Sequence, residues 1–422
     1  MSIIGVRYLV AFLNLLLIFI NSKTLGREGM GLVGVIYASA NLAVIFNSVL
    51  CGNTIVYFMN RYNLRYVFYP AYIWAFVGSA VACMPAFFFD MLPEGYEVIV
   101  FGLAVLISLV TANSSMLLGK DNVKGFNLVF ILQGVLTFLL LLFLYFIVDY
   151  KTVAGYLAGL FAAHVIAYIY SVVLLFPYLG KKNNASVGKP FSNVLKEMFL
   201  YGLWSSMDNL AEGLTTRLNY FLIHSSGGYG NVGLLDSGTK MSESVWHVSN
   251  SISHIEHNSV SKTTDRREQK RVTLQLFKLT YCALIVITAL VASVPEWFFT
   301  KYLLNLEFTG IRDVIIGLSP GIVALGSNRI LSHYYIGSGR VKWSTFCSVF
   351  GLVTLLIAGL FLIPAYGVFG AAVTSSIAYI CMLAFSVVVF MKQTGTLFRE
   401  FIPSKDDWNE LVKKVCRYCH GD

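Results

Sequence analysis

The feature that most constrains this chain is a recurring one: stretches of about twenty residues without Asp, Glu, Lys or Arg, separated by short charged or glycine-bearing turns. A helix rises about 1.5 Å per residue, so such a stretch crosses roughly 30 Å of hydrocarbon. With 57% of its 422 residues hydrophobic and only 13% charged, the chain has too little polar surface to wrap a water-soluble body of this size. It reads as an all-α polytopic membrane protein.

Taking the uncharged runs between charged or turn residues yields about twelve spans. They lie at 8–21, 31–59, 67–89, 98–119, 126–148 and 152–179, then at 199–224, 233–257, 274–294, 314–337, 343–363 and 368–391. Pro364, Ala365, Tyr366 and Gly367 split the last apolar run in two, because proline lacks a helix donor and glycine relaxes the turn. The connection carrying Lys181, Lys182, Asn183, Asn184 and Pro190 divides the chain near its midpoint. The expected organisation is a six-helix lobe over 1–180, a cytoplasmic loop over 181–197, a second six-helix lobe over 198–391 and a cytoplasmic tail over 392–422. An even count per half makes the lobes parallel repeats around a central cavity, as in many alternating-access transporters.

Lys and Arg number 31 against 22 Asp and Glu. A basic excess suits nucleic acid or the anionic face of a membrane, and these bases sit between apolar spans, which points to the lipid bilayer and away from nucleic acid. A cytoplasmic N-terminus leaves only Lys23, Arg27, Lys151, Lys301 and Arg312 outside, so the positive-inside rule sets both termini in the cytoplasm. The first apolar run has Arg7 near its start and no small-residue site after it, so a cleavable leader is not expected. Five cysteines are isolated in apolar stretches, and no disulfide framework is visible. Cys416 to His420 spell C-x-x-C-H, the haem-attachment pattern, but a tail read as cytoplasmic makes it a chance spacing. The glycine-rich stretch from His224 to Gly230 lacks the Lys-Ser/Thr of a phosphate loop and reads as a connecting turn.

Ionisable groups inside spans cost several kcal/mol unless they face water or partners, so they mark function. In the eighth span Asp236, Lys240, Glu243, His247, Asn250 and His254 fall on one face at about 100° per residue. One reading is an ion network, Asp236 with Lys240 and Lys240 with Glu243, that ties helices together. The other is a wet cavity wall, which alone accounts for the stripe continuing through His247, Asn250 and His254. In the seventh span Asp208 and Glu212 share a face, and Arg217 points nearly the opposite way in a straight helix, toward either a packing contact or substrate. Arg329 and His333 share a face in the tenth, where cavity and packing readings both stand. In the first two spans Asn14, Asn21 and Asn41 face either a lumen or a neighbouring helix, and His164 in the sixth reads as an interhelical hydrogen bond. No nucleophile with its base and no set of metal ligands stands out, so neither an enzyme nor a cofactor is expected.

Residues 363–372 (IPAYGVFGAA) resemble the I-P-x-Y-G-x-x-G-A-A turn between the last two spans of the multidrug/oligosaccharidyl-lipid/polysaccharide exporter (MOP) superfamily. Residues 24–31 (TLGREGMG) resemble its connection after the first span, and Gly230, Asn231, Val232, Gly233 with Lys240 and Glu243 resemble its entry to the eighth. The likeness covers the whole chain and is strongest to the polysaccharide-biosynthesis flippases of the O-antigen and capsule type. It implies alternating-access export of polyprenyl-pyrophosphate-linked oligosaccharide across a bacterial inner membrane, alongside other polysaccharide-assembly proteins, with a coupling proton or monovalent cation and no cofactor. On that basis Lys240, Arg329 and Arg217 offset the pyrophosphate charge, and Asn250, Asn14 and Asn41 hydrogen-bond sugar. Asp208, Glu212, Asp236, Glu243, His247, His254 and His333 line the path or couple it. The family's acidic residue in the R-x-D-like part of the seventh span is replaced here, where Arg217, Leu218 and Asn219 stand. The four acids outnumber the three bases, which is odd for an anion site with neutral histidines and suits the alternative, a cation-coupled multidrug exporter. A membrane-embedded polymerase or glycosyltransferase is a third reading, disfavoured by the short outer loops.

Overall fold

The computed structural model describes residues 3–59, 62, 64–88, 94–179, 191–246, 249–250, 252–253 and 265–402. All regular structure among them is helical: α1 (Ile3–Asn47), α2 (Asn53–Met59), α3 (Leu64–Phe88), α4 (Glu97–Gly119), α5 (Val123–Phe146), α6 (Val153–Leu179), α7 (Phe191–Glu243), α8 (Arg266–Ser293), α9 (Ile311–Gly337) and α10 (Val341–Thr394). Short turns at Glu296–Phe298, Phe299–Leu303 and Leu306–Phe308 join α8 to α9.

Three helices are folded hairpins. Gly26 (φ 66°, ψ −175°), Gly228 (φ 66°, ψ −173°) and Gly367 (φ 56°, ψ −129°) break α1, α7 and α10 in backbone regions open to glycine alone. Each long helix thus has two arms, and, with the short α2 counted together with the second arm of α1, the described residues form twelve rods in two sets of six, in the order that the uncharged runs imply. Eight of these helices contain windows long and apolar enough to cross a membrane. Large apolar side chains such as Ile73, Phe76, Phe146, Leu290, Leu360 and Phe361 point outward, as hydrocarbon-facing residues do. Between rods, small polar groups bond to one another. Asn47 donates to Ser79 (2.8 Å) and Ser108 (2.7 Å), and Asn219 donates to Ser375 (2.7 Å).

The lobes meet at two levels. At the end carrying the glycine breaks, the second arms of α1 and α7 cross backbone to backbone: a Cβ on Gly31 would overlap the Tyr229 carbonyl oxygen, and a Cβ on Gly233 would overlap that of Arg27. Gly31 and Gly233 each lie five residues after their turn glycine, and Arg27 and Tyr229 each lie one residue after it. The contact is therefore reciprocal, the signature of a two-fold relation between the halves. Around it, Arg27 donates to the Gly230 carbonyl (2.7 Å) and to Asn231 (2.8 Å), Lys23 to the Tyr302 carbonyl (2.9 Å), and Asn305 to the Ser22 carbonyl (2.9 Å). Toward the opposite end Ser48 donates to Ser206 (2.8 Å), Tyr62 to Glu197 (2.7 Å), and the rings of Tyr57 and Tyr201 stack at 4.3 Å.

Four boundaries differ from the sequence reading. The second span is not continuous over 31–59: α1 stops at Asn47 and α2 starts at Asn53, with Gly52 at φ 60° and Gly202 of α7 lying against the intervening Val49 carbonyl. The eighth span leaves helix at Glu243 and turns through Ser244 and Val245. α7 starts at Phe191, inside the stretch read as loop. The basic run 262–271, read as a solvated loop, is helical from Arg266, because the Asp265 carboxylate caps α8 by accepting from the Arg267 N–H (2.9 Å). His247, His254, most of the loop between the lobes and the C-x-x-C-H tail lie outside the described residues.

Candidate functional site

A cavity of about 1420 Å³ lies between the lobes, running from Met30 near the glycine turns to Ser48, Cys51 and Asn250 toward the opposite end. Helical spacing decides which side chains reach it. On the first arm of α1, Val10, Asn14, Leu17 and Asn21 recur at i, i+4, i+7 and i+11, and α5 and α6 add Phe130, Gln133, Thr137, Tyr156 and His164. On the first arm of α7, Asn209, Glu212, Gly213, Thr216 and Arg217 recur at i, i+3, i+4, i+7 and i+8. Lys240, Glu243, Ser244, Trp246, Asn250 and Arg329 complete the second wall.

The walls differ in kind. Among the described residues, the first lobe contributes no Asp, Glu, Lys or Arg to the lining, and the second contributes Glu212, Arg217, Lys240, Glu243 and Arg329. Each cation is held by one carboxylate: Arg217 by Glu243 (2.8 Å), Arg329 by Glu212 (3.1 Å) and Lys240 by Asp236 (2.6 Å). Such pairing offsets the cost of holding charge at membrane depth. Arg329 also lies over the Trp246 ring, 4.5 Å from its centroid, and donates to Asn250 (2.5 Å). Trp246 is itself fixed by donating to the Ile322 carbonyl (2.9 Å). Arg217 donates a second bond to the Tyr220 hydroxyl (2.8 Å).

The cavity thus brings together Lys240, Arg329, Arg217, Asn250, Asn14, Glu212 and Glu243 from the sequence-derived set. Four other members sit elsewhere. Asp208 is not on the wall, because Ser344 and Ser348, one turn apart on α10, donate to its two oxygens at 2.6 Å each and make it an interhelical joint. The Asp236 side chain is only 2% exposed, covered where Gly34 of α1 leaves room for it, and it supports Lys240 from behind. Asn41 is half-buried outside the lining, and His333 lies one turn beyond Arg329, also outside it. The expected opposition of Arg217 and Glu212 does not separate them either, since the cavity is wide enough for both edges of one helical face. With Asp208 removed and Asp236 behind Lys240, the lining presents three cations and two carboxylates, so the excess of acid counted along the spans does not reach the lumen. Asn209, Thr216, Ser244 and Trp246 were missed by a search for charge. The first three follow the periodicity of the charged neighbours they accompany.

No protein-family model matches the chain, and no curated protein matches it in sequence. Solved structures do share its fold. An inward-facing multidrug resistance MATE family transporter of the MOP superfamily superposes with a TM-score of 0.71 at 15% identity, over 94% of this chain and 95% of that one. The lipid II flippase MurJ in an inward closed conformation gives 0.74 at 13% identity, over 99% of this chain and 92% of that one. An outward-facing MATE family transporter of the MOP superfamily gives 0.56 at 16% identity, over 93% of each chain.

Proposed function

We propose that this chain is an alternating-access flippase of the polysaccharide-biosynthesis type, carrying polyprenyl-pyrophosphate-linked oligosaccharide from the cytoplasmic to the outer face of a bacterial inner membrane, with both termini in the cytoplasm. The observation that carries the reading is the second wall: three cations converge on one cavity, each restrained by a single carboxylate. A diphosphate offers several anionic oxygens and replaces those carboxylates as the partner of Arg217, Arg329 and Lys240. The released carboxylates are then free to take up a proton or a monovalent cation. The cavity exceeds the roughly 300–1,000 Å³ that encloses a drug-sized molecule, which suits a hydrated headgroup of several sugars. The glycine crossing closes the end that the charge distribution assigns to the outer face, so the state described is closed outward. The higher similarity to inward-facing and inward-closed structures supports this.

The multidrug reading keeps one supporting observation, the two lumenal carboxylates Glu212 and Glu243. Both are already paired with arginine, which leaves little attraction for an organic cation. Purified protein in vesicles carrying fluorescent lipid-linked oligosaccharide separates the two. Transfer between leaflets is expected to exceed that of protein-free vesicles, and Lys240→Gln to slow it about tenfold by removing one charge-assisted contact worth roughly 1.5 kcal/mol. Equal transfer with and without protein, together with uptake of an organic cation, overturns the proposal.

A further inference from the structure

We infer that the uncharged wall of the first lobe reads the sugar, so that the headgroup lies across the cavity with its diphosphate on α7, Lys240 and Arg329 and its saccharide on α1 and α5. The inference rests on the flippase reading and adds which lobe selects the cargo and what chemistry it selects.

Two amides carry it. Asn14 is exposed to the lumen, and its side chain makes no hydrogen bond among the described residues. Gln133 is held in one orientation. His164 Nδ1 is 2.7 Å from the Leu160 carbonyl, which only accepts, so in the neutral ring Nδ1 bears the proton and Nε2 is the bare nitrogen. Nε2 therefore accepts from Gln133 Nε2 at 2.8 Å, and the Gln133 carbonyl oxygen is left for the lumen. One free amide and one oriented carbonyl, with no ion nearby on the same wall, match hydroxyl and acetamido groups and supply no counter-charge for a carboxylated sugar. Phe130, 40% exposed, with Tyr37 and Tyr156 adds flat faces suited to the C–H face of a pyranose ring. The class assigned is an oligosaccharide whose lipid-proximal residues are neutral hexoses or N-acetylhexosamines. His164 is a positioning residue and touches substrate only through Gln133.

The test measures affinity of the purified full chain for two probes, bare polyprenyl pyrophosphate and the same lipid bearing a neutral disaccharide. The wild type is expected to prefer the glycosylated lipid. That preference, expressed as a ratio of dissociation constants, is expected to fall roughly threefold in Asn14→Ala and about tenfold in Asn14→Ala with Gln133→Leu. Asn14→Ala removes a lumen-exposed group that holds nothing else among the described residues, so folding does not confuse the result. An unaltered ratio in both variants overturns the inference, as does a wild type that binds the two lipids equally. A wild type that binds neither lipid overturns the flippase reading itself, and the inference with it.

Discussion

The crossing of Gly31 and Gly233 makes a quantitative demand on the closed state. In Gly31→Ala the added methyl meets the Tyr229 carbonyl oxygen, a backbone atom that no rotamer change can move aside. The arms must part by on the order of 1 Å, which forfeits up to about half of the dispersion attraction across the crossing. Overpacking of this kind costs about 1–3 kcal/mol. The whole penalty falls on the state in which the lobes touch here, so the closed population drops by a factor of about 5–150 relative to the open one. Spin labels at Glu28 and Ser225, both exposed beside the crossing and on opposite lobes, report this as a distance distribution in a background free of native cysteine. The ratio of long- to short-distance populations is expected to rise by that factor in Gly31→Ala and in Gly233→Ala. Gly230→Ala is the control, because a Cβ there meets only Arg27 and Glu28 at 3.7 and 3.8 Å, ordinary contact distances. If Gly31→Ala folds and keeps the wild-type distribution, the crossing does not hold the lobes together and the reasoning fails.

Two more outcomes follow from the side-chain pairs. Asp208→Ala strips two serine hydroxyls of their shared acceptor, so the thermal transition in detergent is expected to fall by the equivalent of about 1–3 kcal/mol with affinity for lipid-linked sugar retained; a stable variant that no longer binds would return Asp208 to the cavity. Glu243→Gln removes the charge that restrains Arg217 and is expected to tighten binding of bare polyprenyl pyrophosphate several-fold, opposite in sign to Lys240→Gln. Weaker binding in Glu243→Gln would mean that the carboxylate assists the anion instead of competing with it.

Much of the architecture is legible because it rests on counting. Uncharged length fixes the number of rods, and Pro364 with Gly367 marks a turn. The two-fold relation was also written in the chain, as G-x-x-x-x-G-L at 26–32 and again at 228–234, a match too short to stand out from the sequence without the fold. The site was less legible because charge is a poor guide to orientation. Asp208 and Asp236 look like cavity residues until partners on other rods are known, and those partners are Ser344, Ser348 and Gly34, which carry no charge to announce themselves. Asn209 and Thr216 were recoverable from periodicity, since they stand at i−3 and i+4 from Glu212 on one face. Gln133 was visible as a polar residue in an apolar span, but its orientation depends on a histidine thirty-one residues away in sequence.

The point at which the repeat stops being symmetrical explains the division of the cavity. Gly34 and Asp236 each stand eight residues after their turn glycine, so they are equivalent positions facing one another across the two-fold axis. Had both kept a carboxylate, two like charges would meet in a place without room for water, and the crossing beside them would be forced apart. Had both been glycine, Lys240 would have no anchor one turn below and its ammonium would stand unpaired at membrane depth. One glycine and one aspartate avoid both penalties, and they commit the second lobe alone to carrying charge. The backbone repeat supplies two arms that meet at the crossing, and this single departure from it allows one wall to hold cations and leaves the other free to hydrogen-bond neutral groups.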